Sequence, residues 1–283
     1  MTSTQNDVAS SRASLLDDRQ VSLFNSMHRL SKLRVSEEIE TPQLVVVGAQ
    51  NSGKSSVLEA LVRFHFPVGS AKPTTRFPIK LILRKDNIET TQARIEPGTP
   101  RFGGQRQRLQ DLENNLRGLD FNKIITSAQA GLGLSSSDTS GGLYDNPRTF
   151  CDDVLVVERC GPSLPQLNLV DLPGLFHAAN KGQTMDDGNM VHEMVKRYIK
   201  SPRNIILLVL SAEVSDYTTV PALGTVQRLL EEDTTLAKRL ICIITRPDRA
   251  GSMPGTLDVL GNNNPFAGHF ARPWHVVRNQ DQK

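Results

Sequence analysis

One segment narrows what this chain can fold into more than any other: LVVVGAQNSGKSS, residues 44–56. A short β-branched run ends in Gly48, four residues intervene, and Gly53-Lys54-Ser55 open a helix-forming stretch. A G-x-x-x-x-G-K-[ST] segment carries meaning only between a strand and a helix, and this one has both. Its glycines let backbone N–H groups turn inward around phosphate oxygens. The helix that starts there adds the positive end of its dipole. Lys54 would reach the β- and γ-phosphates, and the Ser55 hydroxyl would bind Mg2+. Gly48, Asn51, Ser52, Gly53, Lys54, Ser55 and Ser56 are therefore candidate nucleotide-binding positions.

The remaining pattern alternates apolar strands with amphipathic helices. Strands are expected at Leu44–Val47, Ile79–Arg84, Glu89–Ile95, Val154–Glu158, Leu167–Val170, Ile205–Leu210, Leu240–Ile244 and Trp274–Val277. Helices are expected over 55–63, 109–125, 189–200 and 220–232. Such alternation implies an α/β domain with a mostly parallel central sheet flanked by helices. Residues 1–14 read as a disordered tail. From Leu15 to Val35, Leu16, Val21, Leu23, Phe24, Met27, Leu30 and Leu33 make one apolar stripe of an N-terminal amphipathic helix. With its linker this helix occupies 15–40, ahead of a domain over 41–283. Residues 97–107 read as a turn-rich break, and the Gly- and Ser-rich stretch 131–149 as a flexible insertion.

Further signals fall in a fixed order after the phosphate loop. Asp171-Leu172-Pro173-Gly174 follows a strand directly; Asp171 can hold Mg2+, usually through water, and the Gly174 N–H can meet a γ-phosphate. On its own this short pattern also fits an Asp capping a turn. Thr245-Arg246-Pro247-Asp248 ends another strand. Asp248 could accept hydrogen bonds from guanine N1–H and N2–H2, a donor pair that adenine lacks, so ATP would be rejected. Arg246 stands where [NT]-K-x-D motifs carry Lys, and its stem and guanidinium can lie over the base. A surface turn without a ligand is the alternative. Thr74 and Thr75 sit in the loop KPTTRFP, where a Thr can close over Mg2+ and the γ-phosphate. Arg278 and Asn279, in WHVVRNQ, could brace the base.

Composition excludes several classes. Lys and Arg number 33 against 30 Asp and Glu, a net charge of +3, too little to announce nucleic-acid readout. No apolar run approaches the roughly 20 residues of a membrane helix, and no secretory signal opens the chain. Cys151, Cys160 and Cys242 form no CxxC or zinc spacing and read as plain buried or half-buried thiols in a reducing cytosol. No Ser/His/Asp triad is suggested; His177, just past Asp171-Gly174, is expected to be solvent-exposed. The pairs Asp17-Asp18, Asp152-Asp153 and Asp186-Asp187 read as solvated loops or caps rather than a metal site.

Taken together, GAQNSGKSSVLEALV, FPVGSAKPTTRFPIKLILR, NLVDLPGLF, IITRPD and WHVVRNQ resemble the GTPase domain of the dynamin superfamily. The likeness is closest to fungal dynamin-like and Mx-like members and runs from about residue 20 to 280. TTRFP is similar to that family's Thr-Arg-x-Pro switch segment. The resemblance implies a P-loop GTPase fold, GTP as substrate, Mg2+, and a monovalent cation (Na+ or K+). It implies that Gln50 orients the catalytic water, that Lys54 contacts phosphate, and that Ser55, Thr75 and Asp171 serve the metal. Asn51 stands where many dynamins have Ser linked to that cation, whose other ligands would be carbonyls of Gly69–Lys72. Thr245, Arg246 and Asp248 match the base-reading motif, with Arg in place of Lys.

The resemblance also implies face-to-face dimerisation of GTPase domains in the presence of GTP. Membrane or microtubule association would come through regions outside this sequence. A cytoplasmic location, peripheral on organelle membranes, is expected. The family's stalk, whose helices would cover the stripe Leu16–Leu33, is not in the sequence. A fragment or truncated gene model, a helix folded back on the domain, and pairing with another chain are the three explanations, of which the first is favoured. Slow basal hydrolysis is the expected activity. The rivals are a module that binds GTP without appreciable hydrolysis, which Asn51 and Arg246 favour, and a P-loop ATPase, which Asp248 opposes.

Overall fold

The computed structural model describes residues 42–62, 75–98, 104–134, 149–176, 184–249 and 274–279, together with 19, 22, 23 and 25–27 of an N-terminal helix. Its centre is an eight-stranded sheet. Strand β1, Gln43–Gly48, lies in the middle, with β5 (Leu167–Asp171) on one side and β6 (Asn204–Ser211) on the other. Beyond β6 come β7 (Leu240–Thr245) and β8 (His275–Val277), all parallel to β1. Beyond β5 lie β2 (Ile79–Lys85), β4 (Val154–Gly161) and, at the edge, β3 (Thr90–Glu96). β2 runs antiparallel to β5, with Ile79 opposite Asp171 and Leu83 opposite Leu167. β4 is parallel to β2 and antiparallel to β3. Five of the seven pairings are thus parallel, the architecture expected from the sequence.

Both faces of the sheet are covered, which is why its central strands read as unbroken apolar runs. Val45 and Val47 of β1 face one core, with Leu208 and Leu210 of β6. That core is closed by Val191 and Val195 of α4 (Met185–Lys200) and Leu223 and Val226 of α5 (Pro221–Glu232). Val46 turns to the opposite core, with Leu81 and Leu83 of β2 and Leu155 and Val157 of β4. There the cover is α1 (Lys54–Val62), α2 (Gly104–Asn115) and α3 (Phe121–Gly131). β2 does not alternate as a one-sided strand would: Leu81, Ile82 and Leu83 are all buried, because this strand too is sandwiched.

The helices begin where their caps allow. Thr184 caps α4 and forms a reciprocal capping box with Asp187, so this helix starts four residues before the expected Asn189. The stretch expected as one helix over 109–125 is two. α2 starts at Gly104, within the stretch expected as a turn-rich break, and stops at Asn115. Gly118 then takes φ +74°, a left-handed turn that suits Gly, and Asp120 caps α3 by accepting the Lys123 N–H.

Three further expectations are corrected or bounded. Gly131 ends α3, and Leu132 and Leu134 are fully buried, so residues 131–134 belong to the packed domain; 135–148 lie outside the described residues. Phe150, just beyond, is also fully buried and stacks on Phe176 with ring centroids 5.8 Å apart. Asp153 is buried rather than solvated, and accepts the Gly98 N–H at 3.0 Å. Residues 1–14, Asp17, Asp18, Gly69–Lys72, Thr74 and His177 are outside the described residues.

Among the described helical residues near the N-terminus, the polar Asn25 makes the contact with the domain. Its Oδ1 accepts hydrogen bonds from Arg84 Nη2 at 3.2 Å and Gln166 Nε2 at 2.9 Å. Leu23 of the expected stripe is 62% exposed, and Met27 is half-buried. No described helix is long and apolar enough to cross a membrane. Cys151 and Cys242 are buried and Cys160 half-buried, all as free thiols.

Candidate functional site

The parallel strands β1, β5, β6 and β7 end on one side of the sheet, and their last residues begin the site. β1 stops at Gly48, and one residue later Ala49 bridges to Leu175. The Gln50 N–H donates to the Leu175 carbonyl at 3.2 Å, and the Leu175 N–H donates to the Gly48 carbonyl at 3.1 Å. The loop Gly48–Lys54 is thereby tied to the segment Asp171–Leu175. Asn51 takes φ +61° and Gly53 φ +87°, so the backbone curls before α1 starts at Lys54. Asn tolerates the left-handed region better than most side chains, a local reason for Asn at 51 that the sequence pattern alone does not reveal.

The loop leaves no room for side chains at its glycines. A Cβ on Gly48 would lie 2.5 Å from the Val209 carbonyl oxygen. A Cβ on Gly174 would lie 2.7 Å from the Gln50 nitrogen and 2.9 Å from Lys54 Nζ. Gly174 and Lys54, 120 residues apart, therefore face each other across the same cradle. Ser55 and Ser56 sit half-buried in the first turn of α1.

Lys54 is buried, and its ammonium donates to the carbonyls of Ala49 at 2.9 Å and Gly48 at 3.4 Å. Burial pushes its pKa down, and the nearby Asp171 carboxylate opposes that shift. Asp171, the last residue of β5, is fully buried. Burial pushes its pKa up, against the pull of Lys54 and of a hydrogen bond from Thr75. The Thr75 hydroxyl donates to Asp171 Oδ2 at 2.7 Å. Asp171 Oδ1 and Ser52 Oγ are buried with no hydrogen-bond partner among the described residues. Buried oxygens of this kind call for a partner. A hard cation fits Asp171 Oδ1: with Thr75 and Ser55 it offers only oxygen donors, the set Mg2+ takes. Among the described residues no cluster of three or more His, Cys, Asp or Glu forms another metal site.

Thr245 closes the other wall of the cradle. Its hydroxyl lies 2.7 Å from the Ser52 carbonyl and 3.1 Å from the Leu210 carbonyl, and a Cβ on Gly53 would come within 3.0 Å of it. Arg246 follows with φ +56°, an uncommon conformation for a long side chain. Its Nη1 pairs with Glu213 Oε2. Asp248 is exposed on the short 3-10 turn Pro247–Arg249. β8 pairs Val277 with Thr245, so Arg278 (exposed) and Asn279 (half-buried) emerge at the same end of the sheet.

The structure thus gathers Gly48, Gln50, Asn51, Ser52, Gly53, Lys54, Ser55, Thr75, Asp171, Gly174 and Thr245 into one cradle. It brings Arg246, Asp248, Arg278 and Asn279 to its rim. Residues 44–247 match the profile of the dynamin family. The chain belongs to the dynamin family. This dynamin-family chain is similar to the interferon-induced GTP-binding protein Mx of Perca fluviatilis, with 31% identity over 239 residues, 82% of this chain and 69% of that protein. It is also 30% identical over 260 residues to the Mx protein of Epinephelus coioides and to Mx1 of Oncorhynchus mykiss. Those matches take in 90% of this chain and 36% of each relative, so the chain spans about a third of their length.

Two residues of this dynamin-family site are missing from the sequence reading. Glu213 stands alone in a loop two residues past β6, and only the pairing of Ser211 with Thr245 shows that it lies beside Arg246. Arg76 was legible as part of TTRFP, but not its burial. The guanidinium donates to the Leu134 carbonyl, its Nε is buried without a described partner, and burial pushes its pKa down. It anchors the segment after Thr75 to the end of α3.

Proposed function

We propose that this chain binds GTP and hydrolyses it with Mg2+. The observation that carries the reading is the cradle in which Lys54, Asp171, Thr75 and the backbone at Gly174 converge on one spot. Membership in the dynamin family and similarity to proteins named for GTP binding support it.

Each residue has a task. Backbone N–H groups of the loop Gly48–Lys54 and the Lys54 ammonium hold the phosphates and stabilise charge as it develops on the γ-phosphoryl group. Ser55, Thr75 and Asp171 would hold Mg2+. An ion held by them would supply positive charge to offset that of the phosphates. Gln50 and the Thr75 backbone carbonyl position the attacking water. Gly174 keeps the γ-phosphate close, since any side chain there would strike the Gln50 backbone. Asp248 reads guanine N1–H and N2–H2, and Arg246 covers the base. Arg278 and Asn279 brace it from β8. Asn51 offers a carbonyl oxygen to a monovalent cation.

Turnover of the lone domain is slow and rises when two domains meet face to face. In the cell the domain works in the cytoplasm, peripherally on organelle membranes, coupled to membrane remodelling. These last readings rest on the family. Fluorescent mant-GTP binding with GTP, ATP and Mg2+-free competitors, then phosphate release over a protein-concentration series, tests the proposal. GTP-selective binding with turnover that climbs with concentration is the expected result. GTP-selective binding without phosphate release would leave a binding module, the reading favoured by Arg246 in place of Lys and by Asn51. Equal competition by ATP would remove the guanine assignment.

A further inference from the structure

The base-reading turn contains a feature that GTP binding by the residues above does not require. Arg246 holds a left-handed backbone conformation and a side-chain ion pair at once. Its partner Glu213 is itself fixed from several directions. The Ala212 N–H donates to the Thr245 carbonyl at 2.9 Å, which staples the loop after β6 to the end of β7. The Glu213 N–H donates to Ser211 Oγ at 3.2 Å, and that hydroxyl donates to Glu213 Oε2 at 3.3 Å. On its other oxygen, Oε1, Glu213 meets Arg249 Nη1 at 3.5 Å. One carboxylate therefore holds two guanidinium groups that flank Pro247-Asp248.

This arrangement contributes little to the fold. Arg246 and Glu213 each keep 36% of their side-chain surface exposed, and half-exposed pairs add little to stability. Left-handed Arg246 costs free energy. A strained residue and a weak pair, kept together at the rim of the cradle, make sense if the pair serves a ligand. A free Arg side chain samples many rotamers, and a planar cation is useful against a base only when its plane is held.

We infer that Glu213 is a positioning residue for nucleobase binding: it fixes the Arg246 guanidinium as a flat cover over the base. The inference rests on the GTP reading above. The ligand it serves is the purine face, whereas Asp248 reads the purine edge. Glu213 does not touch phosphate, and its effect lies in nucleotide affinity rather than in the hydrolytic step.

The test is a double-mutant cycle on the full chain with Glu213→Gln, Arg246→Ala and both together. Dissociation constants for mant-GTP and mant-ATP are measured with Mg2+, alongside thermal unfolding. Glu213→Gln should weaken mant-GTP binding about tenfold, the equivalent of losing one stacked cation. Its Tm should stay within about 2 °C of wild type. With Arg246 already Ala, adding Glu213→Gln should change nothing further. Arg246→Lys, which keeps the charge but not the plane, should recover only part of the affinity that Arg246→Ala loses. Unchanged GTP affinity in Glu213→Gln, additive losses in the double variant, or weaker binding that tracks a fall in Tm would each overturn the inference. Wild-type protein that shows no GTP-selective binding would overturn the GTP reading and this inference with it; GTP-selective wild type with an indifferent Glu213→Gln would overturn the inference alone.

Discussion

Thr75 and Asp171, 96 positions apart in the chain, are joined by a 2.7 Å hydrogen bond from the Thr75 hydroxyl to the Asp171 carboxylate. The bond exists because β2 enters the sheet against β5 in the opposite direction. Ile79 pairs with Asp171, and the residues just ahead of β2 arrive beside the last residue of β5. Thr75→Ala should leave mant-GTP affinity nearly intact and slow single-turnover phosphate release by about 10^2 to 10^3-fold, the range for removing one group that acts on developing charge. Equal single-turnover rates would take Thr75 out of the reaction.

Gly174 makes a different demand. A methyl group there would collide with backbone atoms of Gln50 at 2.7 and 2.8 Å, and a backbone cannot swing aside as a side-chain tip can. Gly174→Ala should fold, because the clash lies at the loop rather than in the sheet. It should weaken GTP binding relative to GDP by about tenfold or more, the worth of a hydrogen bond to a charged oxygen. Competition titrations with the two nucleotides give the ratio, and an unchanged ratio would show that the loop adapts.

The thiols offer a check on packing that is independent of nucleotide. Burial pushes the Cys242 thiol from its ordinary 9.0 up to about 12. A raised folded pKa means the unfolded chain ionises first. The thiol's contribution to stability is full below the unfolded value and is lost as pH rises toward the folded one. Wild-type Tm should therefore fall more steeply with pH above about 9 than that of Cys242→Ala. Ellman's reagent at neutral pH should modify Cys160 first, with Cys151 and Cys242 reacting on the timescale of unfolding.

Gly118 is the hinge of the helical layer. At φ +74° and with open space around a would-be Cβ, Gly118→Ala meets only the backbone penalty, about 1 kcal/mol. Gly118→Asn should cost less, because Asn accepts the left-handed region. Thermal melts rank the two, and the reverse order would contradict the turn conformation.

The central strands were legible in the sequence because burial on both faces leaves no polar alternation in β1, β6 or β7. Thr184 and Asp187 could have announced the start of α4, since a Thr three residues before an Asp is a capping signal. The break between α2 and α3 was hidden by Leu109, Leu112 and Leu116, whose helical spacing runs up to Gly118 and masks the stop. The phosphate loop, Asp171-Gly174 and Thr245–Asp248 stood out because each follows an apolar strand. What joins them did not. The Thr75–Asp171 bond, the pairing of Arg246 with Glu213, and the anchoring of Arg76 on Leu134 all depend on sheet order, and pairing between distant strands leaves no local mark. Asp153 misled for the same reason: its neighbour Asp152 suggests solvent, while the fold brings in the Gly98 N–H to satisfy a buried carboxylate.

The reversed strand β2 has a mechanical consequence. It is held by seven paired positions to β4 and five to β5, with ladders along both edges. Tension on the chain ahead of Thr75 would load those ladders in shear, all rungs at once, instead of peeling them one by one. Such a strand does not slide. Arg76, bonded to the Leu134 carbonyl, and the buried Phe77 and Pro78 carry that hold up to Thr75, so the sheet acts as a fixed anvil at the base of the loop.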